Sequence, residues 1–299
     1  MILCAGEALI DMLPRESTAG EDAFAPFPGG AVFNTAIALG RLGEQVGFFS
    51  GLSTDLFGMR LEAALEAAGV DHSACVRTGR PTTLAFVTLT DGQAQYAFYD
   101  EGTAGRMLTP DDLPTVKAGA LFFGGISLVG EPCGAAYEAL MLREAAHAVT
   151  MIDPNIRPSF ITDERAYRSR IEGMMGAADV VKISDEDMGW LGMDASAVLD
   201  AGAQLVCVTE GAKGVTGFWR GGEVFVPAER AHVVDTVGAG DTFNAGLLAG
   251  LKRASLLDKA ALASLDADAL RTALQLGVRA AAVTVSRAGA NPPWQAELA

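Results

Sequence analysis

The 299-residue chain has three histidines, four cysteines and an aromatic share of 7%, and each scarcity removes a class of chemistry. His72, His147 and His232 lie far apart, so neither a zinc site nor a serine–histidine triad finds support. Cys4, Cys75, Cys133 and Cys207 are equally scattered, each in an apolar or strand-like context. They read as buried free thiols of a reducing cytoplasm rather than as disulfides or a metal cluster. Positive charge is short as well: 22 Lys and Arg face 37 Asp and Glu, a formal net charge of −15. No basic surface is left to release counterions, which argues against a nucleic-acid partner. An anionic ligand must be held by local features against the global field. No apolar run reaches the roughly 18 residues of a membrane span. The opening Met1-Ile2-Leu3-Cys4-Ala5-Gly6-Glu7 lacks the basic start of a signal peptide. A membrane partner is therefore not expected.

What is present is ordinary for a globular chain, half hydrophobic and one fifth charged. The length admits one large α/β domain or two medium ones, and no repeat, linker or clean boundary divides it. Residues 2–10 read as one buried strand, followed by Asp11, and 12–28 as irregular chain or short edge strands. A helix over about 31–42 opens at Pro28-Gly29-Gly30; a strand over 45–52 and a helix over 56–68 follow. In that helix Leu61, Ala64, Leu65 and Ala68 keep the i, i+3, i+4, i+7 spacing. Such alternation predicts a mainly parallel sheet with helices on its faces. It breaks at 82–90 and 94–99, two β-rich runs around Asp91-Gly92, a strong hairpin signal. A hairpin set between strand–helix units reads as a flap, and its Phe86, Tyr96, Phe98 and Tyr99 require that one face be covered. Strands near 120–126, 148–153, 179–183 and 204–209 alternate with helices near 134–147, 165–177 and 185–192. A second hairpin over 215–227 and helices at about 240–253 and 267–285 complete the chain.

The most informative stretch is Asp235-Thr236-Val237-Gly238-Ala239-Gly240-Asp241, running into Thr242-Phe243-Asn244-Ala245-Gly246-Leu247. Phe243, Leu247 and Leu251 keep helical spacing, while the glycines before them let a backbone approach a ligand closely. A helix start of this kind presents unpaired amides and a positive dipole end to a phosphate. Asp241 on its rim has two readings, a helix N-cap or an acid that holds a hydroxyl against the phosphate. The three small residues before it exceed what a cap needs. The dipole is expected to lower its pKa and keep it ionised, which phosphoryl transfer tolerates because its catalysis is mostly positioning and charge stabilisation.

Ligands of open α/β sheets bind at the carboxyl ends of the strands. Those ends carry Asp11, Ile126-Ser127, Asp153 with Asn155 and Arg157, Lys182 with Ser184, and Thr209 with Glu210. Either they line a cleft or they are polar because they meet water. Thr209-Glu210-Gly211-Ala212-Lys213-Gly214 is a tight turn that could lie against a nucleotide or simply lead into the hairpin. No Walker A motif occurs, and Gly238-x-Gly240 meets Phe243 where a dinucleotide fingerprint needs Gly or Ala.

With those residues in view, the chain resembles the PfkB (ribokinase-like) carbohydrate kinases over its full length. Residues 235–243 look like that family's C-terminal signature. Gly29-Gly30-Ala31-Val32-Phe33-Asn34-Thr35-Ala36 with Leu39-Gly40-Arg41-Leu42-Gly43 looks like its N-terminal one. The resemblance implies one α/β kinase domain over 1–299, a three-layer α/β/α sandwich with a mainly parallel sheet. It also implies a small β-sheet lid from about 12–28 and 80–102 that excludes water and pairs two copies into a homodimer. It implies an ATP-dependent kinase acting on a sugar hydroxymethyl group in the cytoplasm. Asp241 is then the base, and the amides of Gly238, Ala239 and Gly240 are the anion hole. Asp11, Gly30, Asn34, Phe98 and Arg157 contact the sugar, while Lys182, Ser184, Thr209, Gly211 and Gly214 serve ATP. Asp235 belongs to a loop for a monovalent cation, expected to be K⁺. The family's Asn-x-x-Glu stretch, linked to Mg²⁺, is Ser184-Asp185-Glu186-Asp187 here, so Asp187 contacts Mg²⁺ directly or through water. Pro81-Thr82-Thr83-Leu84-Ala85-Phe86-Val87, Phe98-Tyr99 and Asp153-Pro154-Asn155-Ile156-Arg157-Pro158 lean toward fructokinases. 2-Keto-3-deoxygluconate kinases share the Asp-x-Asn-x-Arg stretch, and an arginine there suits a sugar-acid carboxylate. A non-catalytic sugar-binding regulator is the reading from another class.

Overall fold

The first apolar run folds into two strands, not one. In this computed structural model β1 (Ile2–Ala5) enters a large sheet, the chain turns at Gly6-Glu7, and β2 (Leu9–Glu16) leaves for a second, four-stranded sheet. The turn packs too closely for a side chain at position 6: a Cβ on Gly6 would lie 2.4 Å from Val32 Cγ2. Asp11, expected beyond the end of a central strand, therefore sits inside β2. β3 (Asp22–Gly29) pairs with β2 along its whole length, so 12–28 belongs to a regular hairpin instead of irregular chain. The structure describes residues 1–90 and 93–298, the side chains of 88–90 and 93–96 excepted. The Asp91-Gly92 turn and the Tyr96 side chain lie outside the described residues.

After β3 come α1 (Ala31–Arg41), β4 (Val46–Phe49), β5 (Gly51–Ser53), α2 (Leu56–Ala67) and β6 (Val76–Thr78). β7 (Leu84–Thr90) and β8 (Gln93–Tyr99) form the expected hairpin and join β2 and β3 in the order β3-β2-β7-β8. The alternation then resumes with β9 (Ala120–Gly124), α3 (Cys133–Glu144), β10 (Val149–Asp153), α4 (Glu164–Ala177), β11 (Val180–Ser184) and α5 (Asp185–Leu191). A helix absent from the sequence reading, α6 (Ala195–Ala201), precedes β12 (Leu205–Thr209). β13 (Gly214–Trp219) and β14 (Gly222–Pro227) form the second hairpin. α7 (Ala239–Arg253), a short unanticipated α8 (Lys259–Ala263) and α9 (Ala267–Val285) follow.

The large sheet runs β14-β13-β12-β11-β10-β9-β1-β4, parallel from β12 to β4 and antiparallel across the last hairpin. Its parallel strands are largely apolar and buried on both faces, as helices on both sides require. Alternate residues feed two cores: Ile2 and Cys4 pack with α1, α2, α7 and α9, and Leu3 and Ala5 with α3, α4 and α6. The four cysteines are buried and unpaired, as expected. Among the described residues no helix is long and apolar enough to cross a membrane.

α7 is buried on all sides from Asp241 to Leu251, beyond the single face its spacing predicts. Small residues make this possible: a Cβ on Gly246 would lie 2.5 Å from Gly277 Cα, and one on Gly250 2.5 Å from Ala273 Cα. α7 and α9 thus touch backbone to backbone, holding the start of α7 at the carboxyl edge of the sheet. Gly246→Val should lower stability by about 3 kcal/mol, at the upper end of core overpacking. A urea melt should show a lower midpoint with an unchanged slope.

Candidate active site

Glycine helix starts mark the site. Six helices begin on an Asp or Ser side chain that accepts their first amides, namely Asp55, Asp163, Ser184, Asp194, Asp258 and Asp266. α1 and α7 instead begin on Gly30 (φ 110°) and Gly238 (φ 77°), with no side-chain cap. Both backbones occupy the left-handed region where glycine is favoured. A Cβ would also lie 2.8 Å from the Glu7 carbonyl oxygen at Gly30, and 2.7 Å from Ala290 Cβ at Gly238. The starts of the two helices converge on one cavity of about 360 Å³ at the carboxyl edge of the sheet.

At α7 the residue order removes one of the two readings of Asp241. Gly238 is the N-cap and Asp241 the third residue of the helix, so Asp241 is not the cap. Thr242 N–H donates to the Gly238 carbonyl at 2.9 Å, and Ala239 N–H leans on Thr236 O at 3.3 Å. Among the described residues no acceptor takes the amides of Gly238, Gly240 and Asp241. The open set is therefore shifted by one from that expected, with the Asp241 amide in place of Ala239.

Asp241 is 8% exposed. Burial pushes its pKa up to about 7, and the neighbouring Asp153 and Glu7 carboxylates add to the rise. The Asn34 hydrogen bond and the Lys182 ammonium oppose it without cancelling it. The expected lowering by the helix dipole is thus overturned: losing water costs an isolated carboxylate more than the first turn returns. Asn34 Nδ2 donates to Asp241 Oδ2 at 2.9 Å, and Thr35 Oγ1 to the Asp241 carbonyl at 3.2 Å. The early glycine-rich motif thus grips the late one across 207 residues.

The second sheet supplies the opposite wall. Asp11 stands across from Ala85 on β7, and Ala85 across from Phe98 on β8. Asp11 and Phe98 therefore share the face turned to the cavity. Asp11 Oδ2 would be 2.1 Å from a Cβ on Gly29, so this carboxylate needs that glycine. No hydrogen bond reaches it among the described residues, and burial pushes its pKa up to about 6. Phe98 packs on Phe160 with ring centroids 4.7 Å apart, and exposed Arg157 lies beside them on the same cavity.

Lys182, expected with the nucleotide, lines this cavity and donates to Asp153 Oδ2 at 3.0 Å. Ser184 and Thr209 end adjacent strands, paired with each other, and Gly211 (φ 54°) and Gly214 (φ 134°) shape the turn beyond. These four form a neighbouring stretch of the sheet edge outside the cavity. Ser184 Oγ accepts the Asp187 amide as a helix cap, a role that needs no ligand. Asp187 is 7% exposed and its carboxyl is raised, by burial first and then by Asp153. Asp235 bridges two loops, accepting from Val237 N–H at 3.0 Å and Gly289 N–H at 2.8 Å.

Sequence reasoning passed over Glu7 and Asn244, and noted Asp153 without assigning it a role. Glu7 stands in for the missing cap of α1: Oε1 accepts Ala31 N–H at 2.8 Å, and Oε2 accepts Ser127 N–H at 3.3 Å. An acid between apolar Ile2–Ala5 and Ala8-Leu9-Ile10 was the available signal. Asn244 lies one turn after Asp241 on a helix otherwise apolar there, and donates to Asp153 at 2.7 Å.

The family model described as pfkB family carbohydrate kinase matches residues 1–297. The chain belongs to that family. It is 57% identical over 279 residues to a fructokinase from Rhizobium leguminosarum bv. trifolii, covering 91% of this chain and 86% of the relative. A solved fructokinase from Xylella fastidiosa with bound ATP matches with a TM-score of 0.91 at 33% identity, over 99% of this chain and 96% of that one. A Vibrio cholerae fructokinase in its fructose, ADP and potassium ion bound form gives 0.86 at 25% identity, over 99% and 96%. The ribokinase-like three-layer fold expected from the motifs is thus the fold observed, and the protein is a carbohydrate kinase.

Because burial lifts Asp241 above its unfolded value, the folded state holds the extra proton. Its contribution to stability therefore falls as pH rises from about 4 to about 7. Asp241→Asn removes that buried charge. Calorimetry should show the variant melting above the wild type at pH 8, with the difference vanishing near pH 4. Its kcat should drop by ~10²–10⁴ or more. A variant that is less stable at pH 8, or near-normal in turnover, would refute the assignment.

Proposed function

We propose that this carbohydrate kinase is a fructokinase that moves the γ-phosphoryl group of ATP to a hydroxymethyl oxygen of fructose. The observation that carries the choice of sugar is the charge of the cavity, read together with the 57% identity to a fructokinase. Glu7, Asp11, Asp153 and Asp241 line it against Arg157 and Lys182, and Lys182 is already tied to Asp153. Such a lining suits a neutral polyol, whose hydroxyls donate to carboxylates, better than a sugar acid.

In this reading Asp11 accepts sugar hydroxyls, Gly30 and Asn34 close one side, and Phe98 packs on the sugar's apolar face. Asp241, oriented by Asn34, takes the proton of the attacking hydroxyl. A pKa near 7 makes it a better-matched base at neutral pH than an ordinary aspartate. The open amides at the start of α7 stabilise the transferred group, with Lys182 at its side. ATP lies along the edge from α7 toward Ser184, Thr209, Gly211 and Gly214. The Asp235 loop is the place for K⁺.

Among the described residues no three His, Cys, Asp or Glu converge to hold a metal by themselves. Asp187, 7% exposed at the start of α5 with its carboxyl raised by burial, stands alone beside the nucleotide edge. One such carboxylate fits Mg²⁺, which is held by one or two carboxylates together with substrate phosphates; Mg²⁺ would neutralise charge on those phosphates.

The whole chain acts as one domain with the second sheet as its lid. Phe24, Phe86 and Tyr99 run edge to face across the sheet's other side, with centroids 5.0 and 5.5 Å apart. Phe24 and Tyr99 are 41% and 62% exposed; a second copy of the chain would cover them.

Exposed Arg157 favours 2-keto-3-deoxygluconate as the second reading, since it could pair with a carboxylate. ATP consumption over a sugar panel separates the two, with fructose expected to give the higher kcat/KM. Arg157→Ala should lower turnover of the sugar acid far more than that of fructose. Higher kcat/KM on the sugar acid would overturn the proposal, and a panel without any turnover would favour a sugar-binding regulator.

A further inference from the structure

Asp153 and Lys182 lie one residue past the paired Ile152 and Val181 of adjacent parallel strands, so both side chains leave the sheet on the same side. They are 2% and 5% exposed. A single oxygen, Asp153 Oδ2, takes both the Lys182 ammonium at 3.0 Å and Asn244 Nδ2 at 2.7 Å. Asn244 comes from α7, one turn after Asp241, and is 1% exposed. The three groups therefore tie two strands of the sheet to the helix that carries Asp241.

A buried ion pair is weak support for stability, because desolvation of both charges offsets their attraction. This one also holds more acceptor capacity than the fold uses. Asp153 Oδ1 and Asn244 Oδ1 are both buried without a hydrogen-bond partner, a costly state for purely structural groups. The position of the ammonium shows what the tie through Oδ2 holds in place. Lys182 Nζ lies 3.5 Å from where a Cβ on Gly240 would be, against the turn whose amides of Gly238, Gly240 and Asp241 are open. A lysine side chain is a flexible stem, and two partners on one oxygen confine it there.

Resting on the phosphoryl-transfer reading above, we propose that Asp153 is a positioning residue of the reaction. With Asn244 it fixes the Lys182 ammonium beside the first turn of α7, where the migrating phosphoryl group passes. Asp153 itself need touch neither sugar nor nucleotide. Its loss should therefore lower the rate of transfer and leave sugar affinity intact.

Asp153→Asn keeps the volume and an acceptor for Lys182 but removes the charge that confines it. Its kcat should fall ~10- to 100-fold while the sugar KM changes less than ~3-fold, the pattern of an interaction made in the transition state. The acid limb of the pH profile should also move to lower pH. Asp241 is faced by Asp153 from β10, Lys182 from β11, Glu7 from the turn after β1 and Asn34 from α1, and the substitution removes one of the two negative neighbours. In a Lys182→Met background the same change should alter kcat by less than ~3-fold, because Asp153 acts through Lys182.

Additive losses in that cycle, or a folded Asp153→Asn with wild-type kcat and acid limb, would overturn the proposal. If Asp153→Asn does not fold, Asn244→Ala enters the same cycle with Lys182→Met, and additivity there has the same force. The sugar used is whichever of fructose and 2-keto-3-deoxygluconate the wild type turns over faster, so the choice of substrate can fail separately. A wild type that phosphorylates neither sugar overturns both this proposal and the transfer reading.

Discussion

The bond from Asn34 to Asp241 is the contact on which the rest of the site depends. It joins the starts of two helices that lie on one face of the sheet and point their open ends at one cavity. Thr35 adds a second link, to the Asp241 backbone. Around this junction the fold spends its small residues. Gly30 and Gly238 leave the helix starts uncapped, Gly29 makes room for Asp11, and Gly246 and Gly250 let α7 sink against α9. Six other helices start on a capping Asp or Ser, and α3 starts on Pro132; the glycine starts are those of α1 and α7.

Electrostatics in that corner is governed by loss of water more than by the helix dipole. Glu7, Asp11, Asp187 and Asp241 all have raised carboxyl pKa values, with burial the largest cause in each. In a chain of net charge −15, an acidic pocket is poorly disposed to bare anions and well disposed to neutral polyols. In the proposed reaction the phosphate is met instead by backbone amides and by one lysine, whose charge is local. Separating hydroxyl recognition from phosphate recognition within a few ångströms suits a kinase, whose two substrates differ in just this respect.

Much of this was legible in the chain. Strand–helix alternation, the break at 82–99 and the glycine-rich 235–241 stretch led to the right architecture, because short-range periodicity and backbone freedom are local properties. The misreadings have local causes too. Residues 2–10 looked like one strand because Gly6-Glu7 interrupts the apolar run only briefly, and the neighbour that requires glycine at position 6, Val32, lies on another element. Asp241 was expected to be acidic because the dipole can be seen from a helix start, whereas burial cannot. Glu7 and Asn244 stayed hidden because their partners, Ala31, Ser127 and Asp153, are 24, 120 and 91 residues away.

The sequence by itself determined where ligand-approaching backbone would occur and which acids stood at strand and helix ends. Glycine spacing and capping chemistry are written within a few residues of each other. Only the tertiary structure decided which of those acids share one desolvated cavity, which amides stay open, and that Lys182 pairs with Asp153. Distance through space and exclusion of water set these outcomes, and both arise only once the sheet has brought its strand ends together.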